Sequence, residues 1–421
     1  MRTSEPPPPA GDAAGRAVGG VADLLAAYRP GTTAWFSAGG RHLLAGGSRA
    51  RIGSTAGAGP ALAAQVDAVL RADRRSGGPG LAVGAVPFAA GTPAALRVPE
   101  RLLRATGAPP PAPAPAPVGR GATTRSTPDD DGYAAAVATA VQRLRAGDDR
   151  LGKVVLGRLL EADLPGGVDV PAVLARLLAA DPEAFVYAVD VPPLPPLPPL
   201  EPTGPAAAAR TAGAPVRTLL GASPELLVSR RGRRVSACPL AGSAPRCDDP
   251  HEDAARAAAL LRSAKDLHEH AVVADAVRAA LAPLCRELDV PATPQVRGSA
   301  ALWHLATPVS GVLADPATTS LDLLAALHPT PAVCGVPVAA ARDLIGELEP
   351  FERGYATGAV GWCDADGDGE WAVTIRCAEV QGGSVRLFAG AGVVAASDPR
   401  AELAETAAKF RTSARALGIE W

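Results

Sequence analysis

The chain has almost no lysine. Lys153, Lys265 and Lys409 are the only three in 421 residues, and the other 38 of its 41 basic side chains are arginine. Arginine cannot give up its proton in a protein, so nearly every positive charge is excluded from acting as a base. Nor is there an excess of positive charge. The formal net charge is -2 and the isoelectric point about 6.3, which leaves no electrostatic footprint for nucleic acid. No stretch approaches the roughly 18 uninterrupted apolar residues of a membrane span. The N-terminal MRTSEPPPPAGDAAGR lacks the apolar centre of a secretory signal, so residues 1–19 read as a disordered leader and the expected location is cytoplasmic. The six cysteines (Cys238, Cys247, Cys285, Cys334, Cys363 and Cys377) contain no CxxC pair and no zinc-type histidine spacing. They are expected as reduced, mostly buried thiols rather than as a disulfide framework or a zinc site.

What is present suits a globular enzyme: 421 residues with 48% hydrophobic content can build one large core or two domains. Two proline-rich segments interrupt the chain, at 108–119 and 191–205. Neither can run through a central strand or a helix interior. The first reads as a linker between a part beginning near residue 20 and a larger part beginning near Asp129. The second reads as an inserted surface loop. Strand patterns appear in VVLGRLLEADL, FVYAVDV, TLLGASPELLVSR, RRVSACPL, GAVGW, WAVTIRCAEV and VRLFAGAGVV. Helical spacing appears in YAAAVATAVQRLRAG, VPAVLARLLAAD, AELAETAAKFRTSARALG and the long run from Glu252 to Leu284. The order is mixed rather than alternating, which predicts an α+β fold with large antiparallel sheets.

Three motifs fail on inspection. DADGDGEW at 364–371 begins like a calcium loop, but its twelfth position is Ile375 instead of Glu, so a hairpin turn is expected. GAGVVA at 390–395 loosely matches a dinucleotide fingerprint, yet Val393 and Val394 stand where a helix should open. The HEH at 268–270 lacks the spacing of a zinc-protease pair.

Two acidic constellations survive. Asp266, Glu269 and His270 share one helix face, and Glu402, Glu405 and Lys409 share another after the helix start Ser397-Asp398-Pro399. Such faces could converge on a hard cation such as Mg²⁺ or could simply be solvated. All three lysines lie in or beside chemistry-bearing segments. Unlike arginine, a desolvated lysine can become neutral, and Lys153 among Val154, Val155 and Leu156 is the candidate general base. Glu225, in the apolar context GASPELLVSR, is the candidate general acid. A base and an acid together suggest adding a nucleophile on one side and expelling a hydroxyl on the other.

The segments KVVLGR, LLGASPELL, PLAGS, KDLHEH, WHLATPVSG, LHPTPAVCG, ERGYATGAVGW, WAVTIRCAEV, AGAGVVAASDP and ELAETAAK, in this order over about residues 129–415, resemble the chorismate-utilising enzymes. Within that family the likeness is to the isochorismate synthases. It implies one large α+β domain of antiparallel β-sheets flanked by outer helices, in which residues 20–128 belong to the same fold and 129–415 bind chorismate. It implies an isomerase in which Lys153 activates water for attack at C2 and Glu225 protonates the departing C4 hydroxyl. Glu269 and Glu405 would hold Mg²⁺, with Asp266 and Glu402 supporting through water. Arg376, Lys409 and backbone amides around Gly242, Ser243 and Gly390 would receive carboxylates, while His304, Ala332, Ile375 and Phe388 would line the pocket. The product would feed siderophore (2,3-dihydroxybenzoate or salicylate) or menaquinone synthesis. The expected partner is chorismate alone, with no nucleic acid, membrane or glutaminase subunit, in a monomer.

Other branches of the family differ at named positions. Aminodeoxychorismate synthases carry lysine where this chain has Ala241. Salicylate synthases typically have Thr and Leu where it has Ala332 and Ile375. Anthranilate synthases use ammonia from a glutaminase partner. A catalytically silent binding homologue is the reading outside the enzymes. The chain departs from many relatives at Gly157, where they have Ser, and at Ala356, where they have an aromatic ring expected to face the substrate.

Overall fold

The computed structural model describes residues 16–17, 19–55, 57–89, 91–114, 123–147, 150–193 and 215–419. The β-branched and leucine-rich runs pair into three sheets. An 11-stranded sheet has the spatial order Arg16–Ala17, Arg101–Thr106, Arg41–Gly46, Thr33–Ala38, Phe185–Val191, Arg217–Ser223, Cys377–Gln381, Ser384–Val393, Lys153–Asp163 and Gly335–Val336, with Thr123–Thr127 also beside Lys153–Asp163. A nine-stranded sheet runs from Cys285–Asp289 through Val309–Leu313, Arg234–Cys238, Leu226–Arg231, Gly369–Val373, Ala359–Asp364, Leu81–Val86 and Ala95–Val98 to Ala50–Ile52. A small third sheet joins Leu240–Pro245, Leu302–Ala306 and Gln295–Gly298. Among the described residues every ladder except the parallel pairing of Arg16–Ala17 with Arg101–Thr106 is antiparallel, so the architecture is α+β.

The two large sheets stack. Phe36, Tyr187 and Leu219 from the first meet Val83, Val360 and Ala372 from the second in a core between them. Helices cover the outer faces. Val21–Ala27, Val170–Ala180 and Pro399–Leu417 pack on the first sheet, and Pro60–Arg75, Ala264–Leu281 and Ser320–Leu327 on the second. Strands from before the first proline-rich segment enter both sheets: Trp35 pairs with Ala188, and Val86 with Ala359. Residues 115–122 and 194–214, which hold parts of the two proline-rich segments, lie outside the described residues.

The structure corrects three element boundaries. TLLGASPELLVSR is two strands in different sheets, because Pro224 has no N–H to continue the ladder and the chain crosses there from the first sheet to the second. WAVTIRCAEV crosses back at Thr374–Arg376, where Arg376 takes a left-handed φ of 53°. The long helical run is two helices, Pro250–Leu260 and Ala264–Leu281: Ser263 leaves the helical conformation, and its hydroxyl accepts the Asp266 amide at 3.3 Å as an N-cap.

The failed motifs are structural. DADGDG forms the turn of the hairpin Ala359–Asp364/Gly369–Val373, with the Asp364 carboxylate accepting the amides of Asp366 and Asp368 at 3.0 Å. GAGV forms the end of the strand Ser384–Val393. His270 is buried and hydrogen-bonded to the Thr307 hydroxyl at 2.7 Å. Four of the six cysteines are buried, and among the described residues no helix is long and apolar enough to cross a membrane.

Candidate active site

Both chain crossings open onto one cavity of about 870 Å³, mouth included. Pro224 and Glu225 come from the first crossing and Thr374, Ile375 and Arg376 from the second. The third sheet contributes Gly242, Ser243 and His304, the latter two facing each other across the ladder. Phe388 and Gly390 come from the strand Ser384–Val393, Glu269 from the helix Ala264–Leu281, Glu405 and Lys409 from the helix Pro399–Leu417, and Ala332 from a loop. Of the residues nominated from sequence, Lys153, Asp266 and Glu402 are not on the wall itself. Lys153 lies directly behind it.

Lys153 begins a strand at the interior, and its side chain is 1% exposed. Its Nζ stands 2.9 Å from Glu269 Oε1 but has no hydrogen-bond acceptor in line, so it is a buried amine with unused hydrogen-bonding capacity. The meeting of amine and carboxylate depends on Gly392: a Cβ there would overlap Glu269 Oε1 and come within 2.9 Å of Lys153 Cε. Glu225 is 2% exposed and accepts only a long hydrogen bond, 3.4 Å, from the Leu240 amide. Burial pushes its pKa up to about 7, against the partial relief of that amide and of Lys153, Arg376 and Lys409. Near neutrality this carboxyl can therefore still hold a proton.

The other two lysines also pair with the acidic quartet. Lys265 Nζ reaches Glu402 Oε1 at 2.7 Å, and Lys409 Nζ lies 2.5 Å from Glu405 Oε1 while donating to the Gly390 carbonyl at 2.8 Å. Ser243 Oγ donates to Glu405 Oε1 at 3.3 Å. Asp266, with no direct ion pair among the described residues, has its pKa raised by burial first and further by Glu269 and Glu405, against the Ser263 hydroxyl and Lys265. Glu402 is raised by burial and then by Glu405. For Glu405 desolvation acts upward too, but Lys409, Lys265 and Arg376 outweigh it and hold the pKa below the usual value. The four carboxylates thus feel one another across the two helices. The helix carrying Asp266 packs closely on Gly242, at φ 75°: an alanine Cβ there would sit 3.0 Å from Asp266 Cβ.

Among the described residues no three histidine, cysteine or carboxylate side chains are gathered closely enough to enclose a metal ion; lysines pair with three of the four carboxylates instead. The donor set is nevertheless all oxygen and mutually repulsive, and Mg²⁺ commonly takes only one or two protein carboxylates and fills its shell with water and substrate oxygens. Glu269 and Glu405, both on the cavity wall, fit that requirement.

Arg376 is 9% exposed, and burial lowers its pKa to about 10; it still carries its charge. His304 is kept neutral by burial and by the nearby cations Arg376 and Lys409, its pKa far below the ordinary imidazole value. Sequence reasoning passed over Phe351, Arg353, Thr357 and Thr374, which also line the cavity. Arg353 ties the Val155 and Val333 carbonyls together at 2.7 Å each, and the Thr374 hydroxyl is buried without a partner. The last had one faint signal, a polar residue inside an apolar run.

A sandwich of antiparallel sheets with outer helices, opening a cationic and carboxylate-lined cavity at the crossings, defines the class: the chain belongs to the chorismate binding enzyme family, whose model matches residues 210–418. It is 47% identical over 362 residues to the isochorismate synthase DhbC of Bacillus subtilis (85% of this chain, 86% of that one). It is 40% identical over 340 residues to the vibriobactin-specific isochorismate synthase of Vibrio cholerae (81% and 80%). Among solved structures, one described as the 2,3-dihydroxybenzoate-specific isochorismate synthase DhbC of Bacillus anthracis superposes with a TM-score of 0.85 at 42% identity, covering 95% of this chain and all of that one. The menaquinone-specific isochorismate synthase MenF of Escherichia coli, at 22% identity and a TM-score of 0.75 over 94% of this chain and 90% of that one, shares the fold.

Proposed function

We propose that this protein is an isochorismate synthase, an isomerase that adds water at C2 of chorismate and expels the C4 hydroxyl. The observation that carries the reading is the pair formed by a buried lysine, Lys153, and a buried carboxyl, Glu225, whose pKa of about 7 lets it reach the reaction protonated. Lys153 takes a proton from the attacking water. The two ring double bonds shift, the C4–O bond breaks, and Glu225 gives its proton to the leaving hydroxyl. One water is consumed and one released, so atoms and charge balance. Arg376 and Lys409 supply the positive charge that the two substrate carboxylates require, with the amides near Gly242, Ser243 and Gly390 as further donors. His304, Ala332, Ile375 and Phe388 shape the ring pocket.

Mg²⁺ would be held by Glu269 and Glu405, with Asp266 and Glu402 acting through water; when bound it would supply a divalent charge for the ring carboxylate. The protein would act as a single chain without a glutaminase, in the cytoplasm, and its product would feed siderophore or menaquinone synthesis, since relatives of both kinds carry the same activity name. The test is to incubate purified protein with chorismate and Mg²⁺, with and without ammonium, and to separate the products. Isochorismate as main product is expected. Salicylate with pyruvate, or anthranilate, would overturn the assignment.

A further inference from the structure

Three side chains on the wall of the catalytic cavity carry a neutral hydroxyl: Ser243, Thr357 and Thr374. Two of them are committed to protein partners. Ser243 donates to Glu405 at 3.3 Å, and Thr357 donates to the Ala356 carbonyl at 2.6 Å while accepting from Arg353 at 3.3 Å. The Thr374 hydroxyl has no partner among the described residues, and the residue is 0% exposed. Threonine at the end of a strand can turn its hydroxyl back onto nearby backbone. Here that backbone is already taken: the Thr374 amide donates to the Gly358 carbonyl at 2.9 Å, and its own carbonyl accepts the Thr357 amide at 2.7 Å. The residue is therefore fixed at its main chain and left with an unused donor and acceptor on the cavity. A buried hydroxyl without a partner disfavours the folded chain, so the group calls for a ligand.

Its place in the fold and its chemistry narrow down which part of the ligand it meets. The Val373 amide donates to the Glu225 carbonyl at 3.1 Å, so the chain crossing that carries Thr374 is tied to the one that carries Glu225. The carboxylates of chorismate call for cations, which Arg376 and Lys409 supply; a neutral group that both donates and accepts is matched to an alcohol instead. Chorismate has one alcohol, at C4. Glu225 in its acid form donates to that oxygen, which leaves the alcohol's own proton in need of an acceptor. Resting on the proposed reaction, we infer that Thr374 Oγ1 accepts this proton in a hydrogen bond, holds the C4 hydroxyl with a lone pair toward Glu225, and selects substrates that carry it. No bond is made or broken at Thr374. The proton from Glu225 and the hydroxyl from C4 leave together as water, which still donates to the same oxygen.

Thr374→Val, which removes the hydroxyl and keeps the branched shape, is the test, with Thr374→Ser as the variant that restores it. No protein group loses a partner, so the ligand-free valine variant should unfold at the same urea concentration as the wild type or a higher one. A lower midpoint would show that the hydroxyl serves the fold and would overturn the inference. For the valine variant kcat/KM with chorismate is expected to fall about tenfold, and for the serine variant to stay within about threefold of the wild type. The inhibition constant of 4-deoxychorismate, which keeps both carboxylates but has no C4 hydroxyl, should stay within about twofold in both variants. A valine variant as active as the wild type, or one that loses affinity equally for the deoxy analogue, would overturn the contact. Should the wild type make no isochorismate, the reaction fails and binding decides the contact. Calorimetric titration should then show chorismate bound about tenfold more weakly by the valine variant and 4-deoxychorismate bound equally; equal binding of chorismate would overturn the inference.

Discussion

Glu225 is a carboxyl whose environment disfavours its charge, and that has two measurable consequences. The first is kinetic: the acid form is lost as pH rises through about 7, so kcat should fall on the alkaline side of a pH profile with an apparent pKa near that value, and Glu225→Gln should abolish turnover. A profile flat from pH 6 to 8 would remove Glu225 from the proton transfer. The second concerns stability. Between the ordinary value of 4.5 and about 7 the unfolded chain has released a proton that the folded chain retains, so this group makes folding less favourable as pH rises through that window. Glu225→Gln should therefore unfold at higher urea than the wild type at pH 8, by about 1–3 kcal/mol, with the difference vanishing near pH 4. Lys153 offers the complementary test: Lys153→Gln should cost at least about a hundredfold in kcat while the far-ultraviolet spectrum is unchanged. The rarity of lysine made this position legible, because a chain that writes its positive charge as arginine has little reason to bury a lysine except for its chemistry. The partner was not legible. Glu269 lies 116 positions away in the numbering, and nothing local to either residue says that Gly392 lets them meet.

At the scale of elements, the strand runs and helix caps could be read because they depend on neighbours in sequence: Asp398 and Pro399 open the last helix, and Gly147 at φ 76° closes the one before Lys153. The crossings at Pro224 and Thr374–Arg376 could not be placed in the same way. Both flanks of each read as strand, and whether the two halves lie in one sheet depends on partners far along the chain, as when Leu220 pairs with Ala378 while Leu226 pairs with Ala372. The site is built at these breaks, so its walls were the least legible part of it. Gly242 gives an element-scale prediction. Its left-handed φ of 75° and the close approach of Asp266 require glycine, and Gly242→Ala should destabilise the protein by about 1–2 kcal/mol in urea titration. It should also lower Mg²⁺ affinity by pushing back the helix that carries Asp266 and Glu269. A stability loss without any change in metal binding would separate the backbone requirement from the proposed ligand face.

The whole molecule brings the helices Ala264–Leu281 and Pro399–Leu417, from opposite outer layers, to one cavity edge, where four carboxylates face three lysines. Both helices were visible in the sequence, but their convergence was not, because it follows from how two sheets stack. Burial, and after it mutual repulsion, raises the pKa values of Asp266 and Glu402; a divalent cation would offset both, so it should bind the folded chain in preference to the unfolded one and stabilise it by mass action. In the wild type, Mg²⁺ at about a hundredfold its Kd should add about 2.7 kcal/mol and raise the melting temperature correspondingly. Glu405→Gln removes one proposed ligand and also the counter-charge of Lys409. The variant should show a weakened calorimetric Mg²⁺ isotherm and lose most of the Mg²⁺-dependent rise in melting temperature, whatever its activity. An identical melting shift in wild type and variant would show that Glu405 holds no metal, and the acidic quartet would then be a framework of ion pairs that joins the two layers.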